Sequence, residues 1–348
     1  MRGATENMNK RTCLLLCTAA LTVSAAYAHH SPAEYDRSAI IELEGDARSV
    51  LWKNPHVIIE LATTDENGQE VLWSLEGAAV SAQRRRGVTE GMLLAGDRIR
   101  VAGFPSTRRQ EHLLLEHVLL PSGTELLVGA TRDPRWSQDS VGGARAAIAP
   151  DYAPSDKPTG LFRVWTRGAG QWPWYFSEAP EYELTEWAAA KAADYNPFED
   201  NPLLDCTPPG MPSVMGNPYP MQFFDRGDSI EVRFEEFDVV RTIHMNDDRD
   251  AAQVPLSPLG YSVGHWEGDT LVVTTNRINW AHFGRMGIPQ SQSIEVLERF
   301  TVVDEADRID YSIAMTDPEV FAGTTTWEAT YEWRPGEQVG VYACTPEE

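Results

Sequence analysis

The sequence predicts a mainly β protein, a small OB-like β-barrel followed by a larger antiparallel β-barrel or curved sheet with one short helix at its start. Three observations point there. Apolar and polar residues alternate in short runs over residues 40–120 and again over 229–333, the period that sends successive side chains to opposite faces of a strand. Turn-forming clusters such as "DENG" at 65–68 separate the runs. Helical spacing is confined to two stretches, 78–86 and 183–195.

The first half builds in a definite order. Ile41 to Gly45 and Val50 to Trp52 form an opening strand, and the turn residues Asn54 and Pro55 precede "HVIIELATT". "QEVLWSLEG" is the return strand of a hairpin, and a short helix from Ala78 to Arg86 stops at Gly87. "AGDRIRVAGFP" and "HLLLEHVLL" supply two more strands. Several strands with one helix among them is the order of an OB-like barrel. Between 122 and 158 Gly, Pro, Ser and Asp replace the apolar period, which predicts a linker or long surface loop.

The division is therefore a signal over 1–28, an OB-like domain over 29–121, the linker, and an antiparallel domain over 159–348. In that last domain "ELTEWAAAKAADY" is a helix with Leu184, Trp187 and Ala188 on one face, and six strands follow from "SIEVRFEEF" onward. Their succession without intervening helices predicts antiparallel pairing.

Composition narrows the function. A chain of 348 residues exceeds one ordinary domain, and 42% hydrophobic residues with 11 each of Trp, Tyr and Phe supply packed cores. A net charge of -23 argues against nucleic acid and anionic membranes as partners. Lys10 and Arg11, the apolar run Leu14 to Val23 and Ala26-Tyr27-Ala28 have the order of a cleaved secretory signal. The expected location is periplasmic or secreted, with no transmembrane anchor. Cys13 and Cys17 fall inside the signal, so Cys206 and Cys344 remain to form a disulfide in an oxidising compartment.

The words "AHHSPAEYD", "VLWKNPHVIIEL", "WSLEG", "QRRRGVT" and "AGDRIRVAGFP" resemble a family of exported bacterial proteins known as a domain of unknown function. The resemblance covers residues 29–120 and implies export and an OB-like architecture, with no activity attached. "CTPPGMP", "NPYPMQF" and "GHWEGDTLVVTT" resemble a companion domain of similar proteins.

Cleavage after Ala28 makes His29 the first residue, whose free amine and Nδ1 can chelate one metal ion. A third imidazole completes a three-nitrogen site that favours copper. His56, after the Asn54-Pro55 turn, is the preferred third ligand, His30 an alternate, and His112 and His117 reserves. In this His29 resembles the first ligand of copper proteins with a histidine brace. The competing expectation is a polar tail with His56 at a turn.

Arg84, Arg85 and Arg86, joined by Arg108 and Arg109, present forked donors to a carboxylate or phosphate ligand; the competing expectation is a solvated helix end that favours the dipole or docks against the acidic second domain. In that domain His265 and Glu267 alternate in "GHWEGDT", with His244, Glu298, Arg299 and Tyr311 on neighbouring strands. Gathered inside a barrel, His244, His265, Glu267 and Glu298 are candidate acid–base residues of an isomerase, lyase or hydrolase. The competing expectation is a Gly-Asp hairpin turn with Trp266 in the core. Trp266 and Tyr311 are candidate contacts, with Arg84 and Arg85, for a small apolar or sugar-like ligand. Nucleophile elbows, phosphate-binding glycine loops, H-E-x-x-H helices and haem-attachment motifs are absent from the sequence. A metal-binding module, a ligand-binding barrel and an acid–base enzyme thus stand as alternatives.

Overall fold

The computed structural model describes residues 35–129, 133–143, 159–168, 183–196, 199–216, 218–284, 287–334 and 336–344. The proposed signal, with His29 and His30, lies outside them. Among the described residues no helix is long and apolar enough to cross a membrane.

The first barrel is assembled from β1 (Ile41–Leu51), β2 (Ile58–Thr64), β3 (Glu70–Glu76), β4 (Arg98–Pro105) and β5 (His112–Leu119), with helix α1 (Val80–Arg85) between β3 and β4. β1 pairs antiparallel with β2 and with β4, β2 with β3, and β4 with β5. A parallel pairing of β3 with β5 closes the ring. This is the OB-like order expected from the sequence. A five-stranded ring curves sharply, and the strands that cross most closely leave no room for side chains at two points. A Cβ on Gly45 would stand 2.1 Å from the Ala62 carbonyl oxygen, and one on Gly103 2.1 Å from that of Leu114. The interior is filled by Ile59, Leu61, Leu75, Ile99, Val101, Leu113, Leu115 and Val118.

The stretch expected to be a linker contributes two further strands, β6 (Glu125–Leu127) and β7 (Ser140–Gly142). β6 pairs with β5, and β7 runs parallel to β6. Polar composition concealed them because a carboxylate organises the loop between them. Glu125, fully buried, accepts the backbone N–H groups of Arg135, Trp136 and Ser137 at 2.8, 2.7 and 2.8 Å.

The second barrel has nine strands: β8 (Val164–Arg167), β9 (Met221–Asp225), β10 (Ser229–Phe234), β11 (Val240–Met245), β12 (Tyr261–Glu267), β13 (Thr270–Asn276), β14 (Glu295–Val303), β15 (Arg308–Thr316) and β16 (Thr325–Glu332). They follow chain order from β10 to β16, and β8 and β9 complete the circle. Pairing is antiparallel apart from β11 and β12, which run parallel. The exception arises because residues 246–260 form a crossover, and a parallel pair needs a connection of that kind. Helix α2 (Glu186–Asp194) starts at Thr185, whose hydroxyl accepts the Ala188 N–H. It buries Ala188 and leaves Trp187 exposed, so its apolar face is narrower than its spacing implies.

The barrel interior combines an aromatic core with a fully buried ion pair. Glu298 and Arg241 are both about fully buried and form a two-stranded bridge, with Arg241 Nη1 donating to Glu298 Oε1 at 3.1 Å and Nη2 donating to Oε2. Tyr311 Oη donates to Glu298 at 2.9 Å, and Arg241 also donates to Ser262 Oγ at 3.1 Å and Thr275 Oγ1 at 2.8 Å. Every charge is met, which is the condition for a polar network to persist in a core.

The barrels meet along the C-terminal tail. Cys206 and Cys344 form the expected disulfide. Just before it, Tyr342 is buried against Phe237 and Tyr219. Asn54 Nδ2 donates to the Tyr342 carbonyl at 2.6 Å, and its Oδ1 accepts the Val80 N–H at the start of α1 at 3.1 Å. Arg85 Nε lies 3.5 Å from Glu337 Oε1. Docking on the acidic second domain, the alternative for the arginine run, is thus what Arg85 does. Arg86 donates to the Val128 carbonyl, and Arg84 remains exposed.

Glu298→Ala leaves Arg241 buried without its counter-charge and is expected to lower the unfolding free energy by about 3–5 kcal/mol. The double variant Arg241→Met, Glu298→Leu is expected to recover most of that loss. Urea titrations of the two variants check both signs.

Candidate functional site

The first barrel brings four side chains to one buried carboxylate. Glu76 ends β3, at the seam where β3 and β5 run parallel, and only 5% of its surface is exposed. Tyr35 Oη donates to Glu76 Oε2 at 2.7 Å. Arg109 Nη2 donates to Tyr35 Oη at 2.9 Å and reaches Glu76 Oε2 at 3.4 Å. His56 Nδ1 stands 3.4 Å from Glu76 Oε1 and 3.0 Å from the Gly77 carbonyl oxygen. His112 Nε2 lies 3.9 Å from Glu76 Oε2.

Local structure explains the convergence. His56 follows the Asn54-Pro55 turn and enters β2, which pairs with β3 so that Ile58 stands opposite Glu76. His112 opens β5 opposite Ser74 of β3. Arg109 sits in the loop before β5, where Ser106 Oγ accepts the N–H groups of Arg108 and Arg109 at 3.1 and 2.9 Å. Tyr35 is held by a bridge to Ser106 and lays the N-terminal segment across the loop.

An imidazole with one ring nitrogen turned to a carboxylate or carbonyl presents the opposite nitrogen elsewhere, the usual posture of a histidine that ligates a metal. In His56 that opposite atom is Nε2, and in His112 it is Nδ1. Among the described residues, no group of three or more His, Cys, Asp or Glu side chains is arranged to hold a metal ion. The pair of histidines therefore amounts to part of a site, and His29 and His30 lie outside the described residues. Sequence reasoning had named His56 and held His112 in reserve. The sequence joins Arg109 only to the arginine run as an anion contact and gives no role to Glu76 or Tyr35, although "WSLEG" and "AEYD" are words of the resemblance.

His117 belongs elsewhere. Its Nδ1 lies 2.8 Å from Glu125 Oε1, in the network that holds the 135–137 loop. Burial opposes ionisation of Glu125, but the three backbone N–H groups and His117 outweigh it and hold its carboxyl below the usual carboxylate value. Beside this network an apolar hollow of about 20 Å³ is lined by Trp52, Ile59, Val88, Met92, Leu115 and Val128. Ligand pockets start at roughly 300 Å³, so this space is a packing gap with room for one water.

The second-barrel candidates are not gathered together. Glu298 points inward to Arg241, whereas His265 and Glu267 lie about half exposed on the outer face. There His265 Nε2 is 3.3 Å from Glu267 Oε1, and Arg299 Nη2 donates to Glu267 Oε2 at 2.7 Å. Glu267 is held below its ordinary value by Arg299 first and His265 second. His244 stands apart, with its ring against Tyr261 and Nδ1 4.0 Å from Asp247. The expectation of one interior acid–base set fails because strand alternation places Glu298 and these residues on opposite sides of the wall. Trp266 shares the inner face with Tyr311 through the paired Leu271 and Phe300 but sits at the end of its strand, so it is 42% exposed and Tyr311 2%. Neither joins Arg84 and Arg85, which lie on α1 of the other barrel. Of the alternative, the Gly268-Asp269 hairpin turn is present between β12 and β13, whereas Trp266 is too exposed to be core.

Residues 16–114 match a family described as a family of unknown function, DUF6152. The matched stretch ends just inside β5 and includes His56, Glu76, Arg109 and His112, while the nine-stranded barrel lies wholly beyond it. No curated protein and no solved structure matches the chain.

Glu125→Gln is expected to cost about 1–3 kcal/mol at pH 7, since three backbone N–H groups and His117 lose their charged acceptor. The native carboxyl titrates below its unfolded value of 4.5, so this stability is present above that pH and is lost as the pH falls through the depressed native value. Denaturation of wild type and variant at pH 7 and at successively lower pH is expected to show the gap closing only on the acid side.

Proposed function

We propose that the protein is an exported metal-binding protein whose first barrel holds one copper ion, with His56 and His112 as imidazole ligands and the processed N-terminal His29 as the chelating end. The observation that carries this reading is the convergence of His56 and His112, from separate strands, on the single buried carboxylate of Glu76. A carboxylate behind ligating histidines fixes their ring orientation and raises their basicity, so Glu76 acts as a positioning residue behind the ligands. Tyr35 and Arg109 hold Glu76 in turn.

The chain can deliver the N-terminus to this place. Tyr35 is anchored on Glu76 and Ser106, and His29 stands six residues before it. Six residues span at most about 20 Å when extended, ample to fold back onto the two histidines. His30 is the alternate for the same position. An all-imidazole and amine donor set suits copper better than calcium or magnesium, which take oxygen ligands. The disulfide is compatible with a periplasmic or secreted location.

The test is calorimetric titration of Cu(II) into the exported, processed chain, with intact mass establishing His29 as the first residue. One-to-one binding is expected. His56→Ala and His112→Ala should each weaken it at least a hundredfold, and an extra residue before His29 should remove the chelate. Glu76→Gln should weaken it about 10- to 100-fold, the range for losing an outer-shell partner. Failure of the correctly processed chain to bind copper would overturn the proposal.

A further inference from the structure

Three arginines lie inside the nine-stranded barrel, Arg163, Arg167 and Arg241, with 3%, 4% and 1% of their surface exposed. A guanidinium stays charged at any ordinary pH, so each needs a local answer to its charge. Arg163 has two: Asp304 at 2.8 Å and Asp307 at 3.3 Å. Arg241 has Glu298. Arg167 has none, for among the described residues no carboxylate stands within ion-pair distance of it. Its Nη2 donates to the Met215 carbonyl at 2.9 Å, while Nε and Nη1 are buried with no acceptor.

Its surroundings are suited to an anion with an apolar body. Tyr331, paired with Arg167 across β16 and β8, donates its hydroxyl to the same Met215 carbonyl at 2.9 Å. The guanidinium carbon lies 5.1 Å from the Trp327 ring centre. Along β16 the inward row runs Tyr331, Ala329, Trp327, Thr325, in which the first two are buried and the last two partly exposed. Arg167 therefore starts at the level of Tyr331 and reaches toward the Trp327 end of β16, where Trp327 and Thr325 are partly exposed.

We propose that Arg167 anchors a binding site for a small organic carboxylate at this end of the barrel, with the carboxylate on the guanidinium and the apolar or aromatic body of the ligand against Trp327. A single guanidinium suits a monoanion. A phosphate dianion would need more cationic donors than the site provides and would meet greater repulsion from a chain of net charge -23. This inference is independent of the copper site, which lies in the other barrel.

The experiment titrates the full processed chain with benzoate, acetate and inorganic phosphate, by calorimetry and by the indole N–H resonance of Trp327, assigned through Trp327→Phe. Benzoate is expected to bind one-to-one, shift that resonance and raise the melting temperature, with acetate at least tenfold weaker and phosphate not saturable. Arg167→Met should lose at least tenfold in benzoate affinity and, having shed an uncompensated buried charge, melt above the ligand-free wild type. Trp327→Leu, which keeps the charge, should also weaken benzoate at least tenfold and carries the test if Arg167→Met does not fold. Absence of saturable benzoate binding would overturn the proposal. So would equal affinity in Arg167→Met, or phosphate binding as tightly as benzoate.

Discussion

A β-sheet leaves unpaired N–H and C=O groups along each free edge, and this molecule removes most of that cost by closing each sheet into a ring, with β6 and β7 extending the first beyond its ring. In each ring the closing strand comes from a distance along the chain. β5 returns past α1 and β4 to lie parallel to β3, and β8, separated from β9 in the chain by α2, fits between β16 and β9. Closure also determines where chemistry can gather. Glu76 and His112 stand on the two sides of the β3–β5 seam, and Arg167 is carried by β8 itself. A seam joins residues that no hairpin would bring together, so side chains from separate runs of sequence share one small volume.

The two rings are held to each other through the tail. The disulfide at Cys344 anchors the end of the chain, Tyr342 is packed under the second barrel, and Asn54 binds the Tyr342 carbonyl while it caps α1. Asn54 is two residues from His56, which links the interface directly to the histidine pair. The "NPH" word therefore has two tasks, domain docking by its first residue and the Glu76 site by its last. The arginine run adds to the same interface through Arg85 and Glu337.

Buried charge in this protein is treated in three ways. Arg241 and Glu298 answer each other inside the barrel, with Ser262, Thr275 and Tyr311 taking up the remaining hydrogen bonds. Glu125 is answered by backbone N–H groups, which holds residues 135–137 against β6 and β7. Arg167 is answered by a neutral carbonyl, the Tyr331 hydroxyl and an aromatic face, with no carboxylate. The contrast within one chain is more telling than any single contact, because all three cases carry a similar desolvation cost.

The sequence by itself determined the mainly β class, the OB-like strand order with its helix after the third strand, and the pairing of Cys206 with Cys344. These follow from local rules: a period of two, turn residues, and the two cysteines that lie outside the proposed signal. It also singled out His56, through its place in a turn. Tertiary structure alone decided that β6 and β7 extend the first sheet, that β11 and β12 run parallel, and that Trp187 faces solvent. It alone put Glu298 inside the wall with Arg241 and left His265 and Glu267 outside. The physical reason is that alternation tells which residues share a face but not which face becomes the interior of a closed ring. The same limit concealed Glu76 and Arg167, whose importance lies in what surrounds them after closure and has no local signature in the chain.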